Sequence, residues 1–198
     1  MEQVYTFDFV YDTQSIFRKL MDVMAKPGKI QNISREAQGF LRKDKELLAL
    51  SCTLLDNEVS FYVEKDESFA RALLDETLSR RGKLEEADFV FLTGSLNYES
   101  IRNMFFKVKT GTLENPQDSA VFLIYCPALS GEETLCLTGP GIQKSKELKT
   151  TEYIKTILAI RQETAIEYPC GIDLIFADSK GNLMAVPRLV KAVQKKEC

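Results

Sequence analysis

Gly171-Ile-Asp-Leu-Ile-Phe-Ala-Asp178, running on through Ser179-Lys-Gly-Asn182 into Leu183-Met-Ala-Val-Pro-Arg188, is the stretch whose reading decides the fold. Residues 172–177 and 183–186 are short apolar runs separated by turn-forming residues, the pattern of two strands joined by a tight turn. The first run carries one charge, Asp173. An unpaired carboxylate inside a buried strand is strongly unfavourable, so Asp173 either faces water from an edge strand or takes a partner. Arg188, just past Pro187, is the candidate partner if the two strands pair. Catalysis by Asp173 is the lesser reading, because no second acid stands at a defined spacing from it.

Upstream, helical and strand periods alternate. Ile16, Phe17, Leu20, Val23 and Met24 recur at helical spacing over residues 13–25, and Pro27-Gly28 stops that helix. Residues 31–46 are polar and loop-like. Residues 47–55 are nearly all apolar and admit either a buried helix or a strand. A strand is expected at 59–63 and a helix around Phe69 and Leu73, ended by Arg80-Arg81-Gly82. Another strand is expected at 89–92, and Asn97 caps a helix carrying Ile101, Met104 and Phe105. Residues 120–126 and 134–138 read as a hairpin turned by Ser130-Gly-Glu-Glu133. Residues 151–163 are helical by the spacing of Ile154, Ile157, Leu158 and Arg161. No internal repeat or linker divides the chain. The expected fold is α/β, a single-domain three-layer α-β-α sandwich (residues 1–198) around a mixed sheet.

Composition narrows the chemistry. With 26 basic and 29 acidic residues and no long basic stripe, a nucleic-acid binder is not expected, and the tail at 191–196 reads as a solvated terminus. The N-terminus has no apolar run of signal-peptide length. No segment approaches the roughly 18 apolar residues of a membrane helix, so a cytoplasmic protein with no membrane partner is expected. Histidine is absent, which removes any Ser-His-Asp triad, Cys-His pair or HExxH zinc site from this chain. The cysteines form no CxxC pair and are read as reduced thiols, with Cys52, Cys126 and Cys136 inside apolar runs. No metal site is expected.

No stretch completes a phosphate-binding loop pattern. GxxxxGK[ST] is missing. Gly139-Pro-Gly141 begins like a dinucleotide fingerprint but lacks its third glycine, and reads better as a strand-ending turn. Gly111-Thr112, ahead of Pro116 and Ser119, is a loop whose backbone N–H groups could cradle an anion, although a structural turn accounts for it more simply.

Taken together, several segments resemble the H subunit of the bacterial carbon–phosphorus lyase system, the PhnH family. They are Phe17-Arg18-x-Leu20-Met21-x-x-Met24-x-x-Pro27-Gly28, Gly111-Thr112-x-x-x-Pro116, Leu137-Thr-Gly-Pro-Gly-Ile142, Pro169-x-Gly-Ile-Asp173-Leu-Ile and Ala185-Val-Pro-Arg188. The resemblance is densest over residues 13–30 and 104–188. It implies a fold similar to the large domain of pyridoxal-phosphate-dependent transferases, without PLP. It implies a homodimer when the subunit is isolated and, in the cell, a core complex with the G, I and J subunits. That complex joins a phosphonate to the ribose C1 of ATP with loss of adenine, giving a ribose 1-phosphonate 5-triphosphate. ATP with its Mg and the iron–sulfur cluster of the later radical cleavage would belong to the complex or to other subunits, so no cofactor is expected on this chain.

The resulting expectation is a subunit of an enzyme complex that is not catalytic alone, with no catalytic residue assigned. Ligand-binding or interface candidates are Arg18, Pro27, Gly28, Gly111, Thr112, Gly139, Gly141, Asp173 and Arg188. The alternative is a small-molecule or nucleotide-binding enzyme acting as a homodimer, its ligand held by the Gly111-Thr112 and Gly139 loops and oriented by Asp173 and Arg188.

Overall fold

The computed structural model describes residues 5–94, 96–164 and 166–194. In chain order the elements are α1 (Tyr11–Ala25), β1 (Ile30–Asn32), α2 (Ser34–Ala37), α3 (Lys45–Leu54), β2 (Ser60–Val63), α4 (Glu67–Thr77), β3 (Arg80–Arg81) and β4 (Phe89–Leu92). They continue with α5 (Tyr98–Phe105), β5 (Val121–Cys126), β6 (Glu133–Thr138), β7 (Lys146–Thr150), α6 (Glu152–Glu163), β8 (Asp173–Asp178), β9 (Asn182–Val186) and β10 (Lys191–Gln194).

The seven-stranded main sheet has the order β1-β9-β8-β5-β4-β2-β3. β8, β5, β4, β2 and β3 run parallel, while β9 is antiparallel to both β8 and β1. Strands buried on both faces need apolar residues at successive positions, which explains the unbroken runs in β4, β5 and β8. Alternate residues serve two cores. Phe61, Phe91, Leu123, Ile175 and Leu183 meet Ile16 and Leu20 of α1, Leu47 and Leu50 of α3, and Phe69 and Leu73 of α4. On the opposite face Val90, Phe122, Ile124, Leu174, Phe176 and Val186 meet Ile101 and Phe105 of α5 and Ile154, Ile157 and Leu158 of α6. The Phe105 and Phe122 rings stack at 4.4 Å there. A small antiparallel sheet, β10-β6-β7, packs Leu135, Leu137 and Leu148 into this second core.

Local chemistry sets several boundaries. Asp8 accepts the N–H groups of Val10 and Tyr11 at 2.8 and 2.9 Å, so α1 begins two residues earlier than its apolar period suggests. Asn97 accepts the N–H of Ser100 at 2.8 Å and caps α5, as the sequence predicts. The 47–55 run resolves as the body of helix α3.

Four expectations need correction. Residues 120–126 and 134–138 do not form a hairpin: β5 is flanked on both sides by β4 and β8, which use its hydrogen-bonding edges, and β6 pairs instead with β7 and β10. Residues 31–46 are not all loop, since they contain most of β1, all of α2 and the start of α3. Residues 191–194 of the supposed solvated tail form β10, with Ala192 buried against β6; 195 and 196 lie outside the described residues. Cys136, 4% exposed in the outer sheet, is disulfide-bonded, whereas Cys52, Cys126 and Cys170 are free thiols. Among the described residues no helix is long and apolar enough to cross a membrane.

Candidate functional site

The entry to β8 is where the charged residues gather. The chain arrives through a cis Tyr168-Pro169 bond, then Cys170 and Gly171, and begins the strand at Asp173. One Asp173 carboxylate oxygen accepts the backbone N–H of Arg188 at 2.7 Å. The other accepts its Nε at 3.0 Å and its Nη2 at 2.5 Å. Nη1 of Arg188 donates to the carbonyl of Pro116. Asp173 is 8% exposed. The edge-strand reading therefore gives way to the ion pair, because β8 lies inside the sheet between β5 and β9 and has no free edge. Register explains the meeting: Leu174 pairs with Val186, which sets Asp173 opposite Pro187 and puts Arg188 one residue further along, within reach of its carboxylate.

Behind this pair lies Arg161. It comes from the buried stripe of α6 and donates from Nη1 to the carbonyls of Val186 and Pro187 at 2.8 and 3.1 Å, and from Nη2 to that of Val190 at 2.5 Å. Desolvation pulls its guanidinium down to about 10, against the opposing pull of Asp173; it stays cationic at neutral pH. Arg161 thus ties the last turn of α6 to the segment between β9 and β10. The sequence contained a signal for it: an arginine at the next position of the Ile154, Ile157, Leu158 stripe has to find acceptors in the core or break the packing.

All but one of the candidate residues from the sequence fall into two groups, one at the Asp173–Arg188 pair and one at the C-terminal end of α1. The N–H of Gly171 donates to Thr110 at 3.0 Å, next to Gly111, and Gly111 packs against Pro116. Thr112 and Asn115 close the intervening turn on themselves, Thr112 N–H to the Asn115 carbonyl at 3.2 Å and Asn115 N–H to the Thr112 hydroxyl at 3.0 Å. Those groups serve the turn rather than an anion. Gly139 packs against Leu189 and Val190. Gly141 has φ +82° and touches the α1 terminus: a methyl there would lie 2.6 Å from the Ala25 carbonyl and 2.9 Å from Pro27. Pro27 in turn accepts from Lys146 Nζ at 2.9 Å, and the Gly28 N–H donates to Ala185 of β9 at 3.2 Å. Arg18 is the exception. It lies exposed on the outer face of α1, between Phe17 and Met21, which are 49% and 52% exposed. Phe17, placed on the helix's apolar stripe by its sequence, therefore points outward.

A cleft of about 340 Å³ opens beside the arginines, lined by Arg161, Gln162, Thr164, Cys170, Arg188 and Lys191 among others. A hollow of about 440 Å³ shares Cys170, Arg188 and Lys191 and extends to Pro140 and Tyr168. Sequence reasoning missed Cys170 and Lys191. Lys191 opens β10, a strand too polar and short to stand out by pattern. Chemically, the cleft offers cations and a thiol, and among the described residues that line it there is no carboxylate or imidazole to move a proton. Among the described residues no group of three His, Cys, Asp or Glu side chains is placed to hold a metal ion.

Comparison with known proteins adds an independent line. A family model described as "Bacterial phosphonate metabolism protein (PhnH)" matches residues 6–193. The "Putative C-P lyase subunit protein HtxG" of Stutzerimonas stutzeri is 28% identical over 179 residues, covering 88% of this chain and 83% of that protein. The "Alpha-D-ribose 1-methylphosphonate 5-triphosphate synthase subunit PhnH" of Rhizobium meliloti (strain 1021) is 25% identical over 196 residues, 96% of each chain.

Proposed function

Because this chain belongs to the PhnH family of bacterial phosphonate metabolism proteins, we propose that it works as a non-autonomous subunit of a carbon–phosphorus lyase core complex. A subunit role in phosphonate catabolism follows from the family and from both relatives, which are named as subunits. The finer reading is assembly with G, I and J subunits in the cytoplasm, in support of ribose 1-phosphonate 5-triphosphate formation from ATP and a phosphonate. In that reading the whole chain is one domain, similar in fold to the large domain of PLP-dependent transferases but binding no PLP, with ATP, Mg and the iron–sulfur cluster handled by its partners.

The observation that carries the proposal is the match across residues 6–193, which leaves almost none of the described chain for a separate activity. The chemistry at β8 supports it. Asp173 and Arg188 are bonded to each other and Arg161 to carbonyl oxygens, so these groups hold structure rather than stand ready to react. The exposed Phe17, Arg18 and Met21 face of α1 is the surface we assign to contact with another subunit, or with a second copy when the chain is isolated.

Co-expression of a tagged chain with G, I and J subunits tests the assignment. The four should co-purify at fixed stoichiometry, and the chain alone should not turn over ATP with methylphosphonate. Purification without any partner, or enzyme-like turnover by the lone chain, refutes it.

A further inference from the structure

Three carboxyl groups meet in the interior where the first turn of α3 reaches the C-terminal ends of β5 and β8. They are Asp44, Glu46 and Asp178, each 1% exposed or less. Two of them are supplied with donors. Asp44 accepts Nε and Nη2 of Arg42 at 2.8 and 3.2 Å. Asp178 accepts the N–H groups of Leu129, Lys180 and Asn182 and the side-chain amide of Asn182, at 2.9–3.3 Å. Glu46 is not so supplied: its Oε2 is buried without a hydrogen-bond partner among the described residues. Tyr125 of β5 stands beside it, but the phenol proton goes to the Lys43 carbonyl at 2.6 Å, so that oxygen can only accept from Glu46. Of the nearby cations, Arg42 is committed to Asp44, Lys43 and Lys180 are exposed, and the attraction of Lys45 is outweighed by burial together with Asp178 and Asp44. Acids on the other helices packed against α3 are engaged elsewhere, Asp12 with Tyr5, and Glu36 with Lys19 and Ser15, while Glu76 of α4 acts on Cys52.

We propose that Glu46 is a proton-operated latch, holding the start of α3 and the segment that leads into it against the ends of β5 and β8. With its proton, Glu46 is a donor facing a phenol that can only accept and two acids whose oxygens are already supplied. Without it, the group is a third negative charge beside Asp44 and Asp178 in a site closed to water. Burial of an unpaired charge is costly, and moving the first turn of α3 outward hydrates it. Desolvation, reinforced by Asp178 and Asp44, raises the Glu46 pKa above the ordinary 4.5, so the proton stays on the closed form beyond the pH at which an exposed glutamate loses it. The segment is lightly held on its outer side, where Leu41 is 96% exposed, and the Tyr125 bond to the Lys43 carbonyl fastens it to the sheet. Opening breaks that bond and uncovers the C-terminal ends of β5 and β8. The latch stands on this buried carboxyl cluster and does not depend on the subunit assignment.

Hydrogen exchange of the full chain between pH 5 and 9, expressed as protection relative to unstructured-peptide rates, tests the latch. Opening releases the proton that the closed form holds. Protection at the start of α3 is read first at Leu48, whose N–H donates to the Asp44 carbonyl at 3.1 Å. It should fall by up to about tenfold per pH unit above 4.5 and level off once the pH passes the folded value. Glu46→Gln keeps the shape without a titrating proton, so the fall should vanish, while amides of α6 should show neither change. Tyr125→Phe, which removes the donor to the Lys43 carbonyl, should lower protection at Leu48 at every pH and keep the slope. Protection at Leu48 that is independent of pH in the parent, or a slope that survives in Glu46→Gln, overturns the proposal. So does an equal fall across α6, which would make Glu46 a contributor to global stability alone. Carbon NMR of the parent checks the group without any variant: a Glu46 carboxyl that titrates at or below 4.5 also overturns the latch.

Discussion

Asp173→Asn is the substitution that most directly probes how the β8 end is held. Asparagine keeps an oxygen for the backbone N–H of Arg188, bonded at 2.7 Å in the parent, but places an amide where Arg188 Nε and Nη2 now find a carboxylate oxygen at 3.0 and 2.5 Å. Removing one member of a buried ion pair costs about 3–5 kcal/mol. The Arg188 side chain is 19% exposed and that of Asp173 11%, so the lower end of that range applies, about 3 kcal/mol. In a chain of this size each kcal/mol moves the melting midpoint by about 2–4 °C, giving a fall of about 6–12 °C. Arg161 adds an asymmetry. In Asp173→Asn two neighbouring guanidinium groups lose their shared acid, whereas in Arg188→Met the carboxylate keeps the attraction of Arg161. Asp173→Asn should therefore cost more than Arg188→Met, and the double variant should cost about 2 kcal/mol less than the sum of the singles. Urea unfolding of the parent and the three variants measures all of these quantities. An Asp173→Asn chain within about 0.5 kcal/mol of the parent, or strict additivity in the double variant, would refute the reasoning.

Three other outcomes are expected. Glu46, 1% exposed with one carboxylate oxygen lacking a hydrogen-bond partner, has its pKa raised first by desolvation and further by Asp178 and Asp44. A carboxyl whose folded pKa exceeds its unfolded value is favourably protonated when folded, so its contribution is intact below the unfolded value of 4.5 and erodes as pH rises through the folded pKa. Glu46→Gln should accordingly raise stability at pH 7 and flatten that decline, read from urea midpoints at stepped pH. Gly141→Ala should destabilise by about 1–3 kcal/mol, because positive φ and the Ala25 carbonyl at 2.6 Å both reject a methyl, and hydrogen exchange should quicken at the C-terminus of α1. The Cys52 and Cys126 thiols, pushed up to about 12 chiefly by burial, should resist iodoacetamide at pH 8 until the chain unfolds, as followed by mass spectrometry of labelled peptides.

The helix periods and the strand runs at β2, β4, β5, β8 and β9 were legible because each is buried enough to leave an apolar pattern. The strands that leave no such pattern are those whose residues are mostly polar. β7, Lys146-Glu-Leu-Lys-Thr150, buries only Leu148 and Thr150, and its lysines and glutamate spoil any apolar run. β10 buries Ala192 and little else. The false hairpin has a different cause. Local sequence shows that residues 120–126 and 134–138 are both strands, but it does not say that neighbours distant in the chain, β4 and β8, use both edges of β5. Long-range pairing of this kind leaves no mark in a short window. At the site, the partnership of Asp173 with Arg188 was legible because a lone charge in an apolar strand needs an answer nearby. The third member, Arg161, fits the apolar spacing of its helix stripe, so the period masks its charge and the carbonyl acceptors that answer it come from segments distant in the chain.

What the β8 end means for function follows from how its residues are employed. Gly111, Gly139 and Gly141 sit where backbone runs against backbone, at Pro116, at Leu189 and at Ala25. Asp173, Arg161 and Arg188 use their charges to tie strand ends, a loop and a helix terminus together. A residue so employed reports on stability first, and a loss of function on mutating it would not separate a damaged scaffold from a damaged surface. Three side chains escape that difficulty because they are exposed and hold nothing in place among the described residues: Arg18 on α1, Tyr168 at the outer hollow and Lys191 at the mouth of the cleft. They also divide the questions. Arg18 belongs to the surface assigned to another subunit, whereas Lys191 and Tyr168 belong to the cleft, so Arg18→Ala should weaken co-purification with partner subunits and Lys191→Ala should leave it intact.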